Sequence, residues 1–341
     1  MKAVVVHGAG DLRVETRPTP EPGPGQIALR MTHGGICGSD LHYYAHGAVG
    51  AFTLREPLVL GHEVVGTVAD DPSGRLTAGT PVAVHPASPC GVCRECRAGL
   101  ANVCGETRYF GSAARFPHTQ GGFAEYLVVR GDQARPLPPG LAPARAVLTE
   151  PLAVALHALS RAGDVRGRTV LVSGAGPIGA LVVGAAKAAG AAEVWATDLL
   201  EHPLRIARRV GADHTARVGV EKVPSEYFDI AVEASGAPAA LGPVLAAVRR
   251  RGTLVQLGSL PAGPLGAELV AVVAKEIDIR GSFRFDAEFD EALALLAATD
   301  RLDPVVTHTF PLEKAVEAMA VAADAAVSGK VVLELARPEP V

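Results

Sequence analysis

The spacing of apolar positions divides the chain in two. From Met1 to about Leu148 they come in short β-type runs separated by Gly and Pro: "IALRM", "HEVVGTVA", "TPVAVHP" and "FAEYLVV". No long amphipathic helix is expected among them, so this part predicts a β-rich, barrel-like domain. From about Ala146 the period changes. "TVLVSGAG" is an apolar strand running into glycines, and "PIGALVVGAAKAAG" is a helix with Pro177 at its start and Gly190 beyond its end. "AEVWATD", "HPLRIARRVGAD", "FDIAVEAS", "APAALGPVLAAVRR", "GTLVQLG" and "IDIRGSF" continue the alternation of strand and helix. That alternation predicts a doubly wound parallel sheet with helices on both faces. After Arg284 come a helix, "AEFDEALALLAA", then "VVTHTFPLEKAVEAMAVAA", then a strand, "GKVVLEL". This tail is expected to fold back on the β domain. The fold class is α/β, with a β-barrel unit over residues 1–146 and 286–341 and a parallel-sheet unit over 147–285.

Composition narrows the function. At 341 residues the chain exceeds one ordinary core, in keeping with two domains. Net charge is −4, and the longest basic run is Arg249, Arg250 and Arg251, read here as the cap of a helix C-terminus. Nucleic-acid binding is therefore not expected. "MKAVVVHGAG" reads as a strand and a turn, without the apolar core of a signal peptide. No run of about twenty apolar residues suits a membrane span. A cytoplasmic protein is expected, and five cysteines in a reducing compartment point to metal before disulfide.

Gly174-Ala175-Gly176-Pro177-Ile178-Gly179 fits G-x-G-x-x-G between a strand and a helix, the context a dinucleotide loop requires. Gly174 permits the tight turn, Gly176 lets backbone approach a pyrophosphate, and Gly179 lets helix and strand pack closely. Free N–H groups at the helix N-terminus favour the phosphates. Asp198 closes the next strand, where a carboxylate accepts from the adenosine ribose and repels a 2′-phosphate. NAD is expected over NADP.

Four cysteines, Cys90, Cys93, Cys96 and Cys104, are spaced C-x2-C-x2-C-x7-C. Four thiolates on one short loop can close a tetrahedral Zn²⁺ site, which folds a loop lacking an apolar core of its own. Disulfides do not suit the compartment, and the last spacing does not fit the bacterial ferredoxin run. The fifth, Cys37, lies in "GGICGSDLHYY"; His62 and Glu63 lie in "GHEVVG", and Glu150 in "TEPLAVALHAL". Singly, each reads as a buried thiol, a turn histidine or a surface acid. Together, beside a nucleotide loop, they read as an open catalytic metal site.

"GICGSDLH", "GHEVVGTV", the cysteine lobe, "GGFAEY", "EPLAVALHA", "SGAGPIGAL" and "THTFPLEKAVEA" come in an order that resembles the zinc-dependent medium-chain alcohol/polyol dehydrogenases over essentially the whole chain. The resemblance implies a GroES-like β-barrel catalytic domain and a Rossmann domain with the active site in the cleft between them. It implies two zinc ions per chain, the catalytic one held by Cys37, His62 and Glu150, with Glu63 as a neighbouring carboxylate or alternative ligand. Ser39 and His42 match the proton-relay positions, and Gly258 and Ser282 join the cofactor-binding set. A homodimer or homotetramer is implied. One departure is Pro203, where relatives often carry Arg or Lys against the adenosine; His202 or Arg205 would have to substitute.

Within the family, "GGICGSDLHYYAHGAVG", "FGSAARFPHTQGGF" and "GSFRF" look closest to dehydrogenases of sugar acids, with sorbitol and xylitol dehydrogenases as near neighbours. An aldonate oxidised at C5 puts its carboxylate about 5 Å from the reacting carbon. A cation or strong donor there would select it over a neutral polyol. Arg284, Arg115, His118 and Tyr43 are the candidates. Retention of Cys37, Ser39, His42, His62 and Glu150 together argues against a catalytically silent NAD-binding protein. His157, in an apolar helix, is read as packing.

Overall fold

The computed structural model describes residues 1–266 and 269–336, so the end of the expected second segment, 337–341, lies outside the described residues. The strand Gln26–Gly35 is the spine of the first unit. It pairs antiparallel with Glu63–Asp70 and with Tyr126–Arg130, and register shifts at Ala28/Leu29 and Met31/His33 curve the first of these ladders. The tail does return to this sheet. Lys330–Glu334 runs antiparallel to the spine, Leu333 opposite Gly34, and Val306–Pro311 adds in parallel beyond it. Val331, Val332 and Leu333 are all buried, so this strand is covered on both faces and reads as a continuous apolar run.

The second unit is a six-stranded parallel sheet. Its order is His214–Arg217, Glu193–Asp198, Thr169–Ser173, Phe228–Glu233, Val248–Gln256 and Asp278–Gly281. The first strand in sequence, Thr169–Ser173, sits between the second and the fourth. Strand order reverses there, and such a switch point opens a crevice at the carboxyl ends of the strands. The helix Pro177–Ala188 leaves that point with Pro177 in its first turn. Among the described residues no helix is long and apolar enough to cross a membrane.

Three features differ from the sequence reading. A helix, Gly38–His46, interrupts the β domain. At nine residues, rich in His and Tyr, it is too short and too polar for an apolar period to show. The three arginines cap no helix. They lie on the strand Val248–Gln256, where Arg249 Nε meets Asp229 at 2.7 Å. The cationic cap belongs instead to Lys275, whose Nζ donates to the carbonyls of Leu245, Ala246 and Val248 at 2.6, 3.1 and 2.6 Å. The helix Glu288–Ala298 touches the β domain, where Asp290 meets Arg135 at 3.1 Å, and also packs on a helix of the other unit. Phe289, Leu293 and Leu296 share a core with Leu152, Leu156 and Leu159 of the helix Thr149–Ala162, and that core also takes in Val65 and Ala83. One apolar cluster therefore runs across the seam between the two units.

Candidate active site and metal centres

Cys37 is the residue before the helix Gly38–His46, His62 is the residue before the strand Glu63–Asp70, and Glu63 begins that strand, which pairs with the spine. Asp40 ties these two places together. Its buried carboxylate accepts from Cys37 N at 2.9 Å and from Gly61 N at 3.2 Å. The result gathers Cys37 Sγ, a His62 ring nitrogen and a Glu63 carboxylate oxygen within 4.8 Å of one another. Glu150 comes from the helix Thr149–Ala162 and stands outside that cluster. Its Oε1 accepts from Tyr109 Oη at 2.6 Å, and the Tyr109 ring lies 5.7 Å from that of His62.

The donors suit a divalent cation. Glu63 Oε1 accepts from Lys330 Nζ at 2.6 Å, while Oε2 is buried with no partner among the described residues. Burial opposes a charge on His62, but Cys37, Asp40 and Glu150 overcome it and lift the imidazole to about 10. Burial pushes the carboxyls of Asp40 and Glu150 upward. A pocket this rich in acceptors favours positive charge, and thiolate, imidazole and carboxylate are the ligands of an open zinc site.

In the lobe, Cys90, Cys93, Cys96 and Cys104 bring their sulfurs within 4.8 Å of one another, and all are free thiols. Backbone N–H groups point at the sulfurs: Cys93 N to Cys90 and Cys96 N to Cys93, each at 3.4 Å, and Cys90 N to Cys104 at 3.5 Å. The N–H of Cys90 is the main reason that the Cys104 thiol is lowered to about 6. Four sulfurs in reach of one centre fit a closed tetrahedral zinc.

The glycine loop turns from the strand Thr169–Ser173 into the helix Pro177–Ala188. Gly174 has φ +89°, and a Cβ there would meet Ser235 N at 2.7 Å. A Cβ at Gly176 would meet nothing within 4 Å, leaving space for a phosphate. Gly179 packs on the Gly174 carbonyl of the turn itself. Ile178 follows Pro177 in the first turn. Asp198 accepts from Ala175 N at 2.8 Å and Leu200 N at 3.0 Å, so it also holds the loop in shape. Gly258 packs against Gly236 with no room for a side chain, and Ser282 Oγ is buried without a partner among the described residues. Arg205 Nη2 lies 3.0 Å from His202 Nδ1.

The substrate candidates separate. Arg284 is half-buried, with its Cζ 4.2 Å from the centre of the Tyr109 ring. Among the described residues no carboxylate pairs with it, and the nearby Glu288 pairs with His157. His118 is held from two segments, Nδ1 donating to Arg115 O at 2.8 Å and Nε2 accepting from Arg55 N at 2.9 Å, so neither nitrogen is free for a substrate. Arg115 pairs with Glu106 at 3.1 Å. Tyr43 is buried, and its oxygen accepts from Ala113 N at 2.9 Å. Sequence reasoning overlooked Asp40, Tyr109 and Lys330. Asp40 sits inside the motif already quoted, and Lys330 is a lone cation opening an apolar strand; Tyr109 carries no local signal.

Comparison with known proteins agrees with this geometry. Residues 23–139 match the alcohol dehydrogenase GroES-like domain, and 177–298 match the zinc-binding dehydrogenase domain. The chain is 40% identical over 313 residues to the L-idonate 5-dehydrogenase (NAD(P)(+)) of Escherichia coli (strain K12), covering 89% of this chain and 90% of that one. It is 41% identical over 335 residues to the sorbitol dehydrogenase of Gallus gallus, covering 93% and 91%. The crystal structure of L-idonate 5-dehydrogenase from Escherichia coli K-12 superposes with a TM-score of 0.93 at 38% identity, covering 98% of this chain and 97% of that one. The chain belongs to the zinc-dependent medium-chain alcohol/polyol dehydrogenases. Its cofactors are zinc and a nicotinamide dinucleotide, and its two sulfur-bearing clusters are the places that could hold zinc.

Proposed function

We propose that this chain is an NAD-linked dehydrogenase of sugar acids, interconverting L-idonate and 5-keto-D-gluconate by oxidation at C5. The observation that carries this reading is the half-buried guanidinium of Arg284, with which no carboxylate among the described residues pairs. It lies on one face of Tyr109, whose ring neighbours His62. A partly desolvated cation without a carboxylate partner favours an anionic ligand, and guanidinium and carboxylate form paired hydrogen bonds. The same-class rival is a sorbitol/xylitol-type polyol dehydrogenase.

Cys37 and His62 would hold the catalytic zinc with Glu63 or Glu150, and the four lobe cysteines the structural one. Bound zinc supplies Lewis acidity to the alcohol oxygen and bound nicotinamide accepts the hydride. Ser39 and His42, three residues apart, share a face of the helix Gly38–His46. His42 is exposed, so this pair leads a hydroxyl proton outward to solvent. Glu63 pairs with Lys330, and Gly174 to Gly179 and Asp198 seat the dinucleotide. The β domain, residues 1–146 and 286–341, carries the metals, and 147–285 carries the nucleotide. We place the enzyme in the cytoplasm as a homodimer or homotetramer, with no nucleic-acid or membrane partner.

The test is a panel of aldonates and polyols, followed by NADH absorbance with NAD and NADP in parallel. L-Idonate with NAD should exceed sorbitol by about tenfold or more in kcat/KM, the scale of one charge-assisted contact. Equal rates on both would favour the polyol dehydrogenase instead.

A further inference from the structure

Arg284 has its backbone in the left-handed region, φ +53°, which a residue with a side chain adopts only where its surroundings hold it. The holding contacts come from the cysteine lobe. Asn102 Nδ2 donates to the carbonyl of Phe283 at 3.0 Å. The same amide nitrogen lies 3.3 Å from His157 Nε2, and His157 Nδ1 lies 2.9 Å from Glu288 Oε1. One tautomer satisfies every group: Nε2 accepts from the amide and Nδ1–H donates to the carboxylate. The other oxygen of Glu288 accepts from Asp286 N at 2.8 Å. The segment 283–286 is thus fastened on both sides of Arg284. Asn102 stands two residues before Cys104, the last sulfur of the lobe. His157 is a member of this network and not plain packing.

We propose that Asn102, acting with His157 and Glu288, is a positioning residue that holds Arg284 over Tyr109 and thereby sets recognition of an anionic sugar substrate. The lobe then serves the substrate pocket as well as its own folding. This rests on Arg284 being the substrate contact.

The experiment uses the full-length, zinc-loaded enzyme and the variants Asn102→Ala, Asn102→Asp and Arg284→Ala. Neither Ala nor Asp can donate to the Phe283 carbonyl, and Asp keeps the side-chain shape. Both Asn102 variants should raise KM for L-idonate by about tenfold with kcat within about twofold, as for one lost hydrogen bond acting on binding. NAD affinity and bound zinc should be unchanged, and amide exchange over 283–286 should quicken. Added to Arg284→Ala, Asn102→Ala should raise KM no further, because the two act through one contact. Unchanged KM in both Asn102 variants would overturn the proposal. So would a KM rise that persists undiminished in the Arg284→Ala background, or one accompanied by loss of zinc. If Arg284→Ala itself leaves KM for L-idonate and sorbitol unaltered, the substrate reading fails first and this inference with it.

Discussion

Lys330 and Glu63 form an ion pair at 2.6 Å with side chains 3% and 0% exposed. Burial works against the ammonium, yet Glu63 and then Cys37 hold its pKa above the ordinary value. Nζ also donates to Ile36 O at 3.0 Å, next to Cys37, so the pair joins the return strand to the loop that carries the thiol. Removing one member of such a pair leaves the other charge buried and uncompensated. Lys330→Met should destabilise the protein by about 3 kcal/mol, as read from denaturant unfolding. A variant as stable as its parent would show that Glu63 does not depend on this lysine.

The nucleotide loop works as an element rather than as separate residues. A Cβ at Gly179 would run into the carbonyl of Gly174, which closes the same turn. Either the turn opens or the helix Pro177–Ala188 shifts outward, and in both cases its first N–H groups leave the phosphate position. Gly179→Ala should weaken NAD binding by about tenfold or more, while the cysteine lobe keeps its metal. Fluorescence titration with NADH beside a zinc determination checks this; undiminished affinity would mean that the loop tolerates the shift. Legibility at this level followed length and period. The strands and long helices of the parallel sheet announced themselves through apolar periodicity. The helix Gly38–His46, placed by Asp40 and by tertiary contact, did not.

At the scale of the whole molecule, the cluster of Cys37, His62 and Glu63 lies at the sheet built on Gln26–Gly35, and the glycine loop at the six-stranded one. The two sheets are folded by different parts of the chain, so their functions should separate on mutation. Cys37→Ser should lower kcat by about a thousandfold or more while NADH affinity stays within about twofold. Loss of coenzyme binding together with turnover would show that the two sites are not independent.

Local chemistry was written in the order of residues. Cysteine spacing, the glycine loop and the acid ending the next strand depend on neighbours a few positions apart, so the pattern alone announced a metal lobe, a dinucleotide site and an α/β fold. Distances between remote segments were not. Gathering Glu63 with Cys37 and His62 while Glu150 meets Tyr109, setting Arg284 against Tyr109 and bringing Lys330 to Glu63 across 267 positions of chain all required packing. These depend on which surfaces meet when two cores close on one another, and no periodicity in a single chain records that.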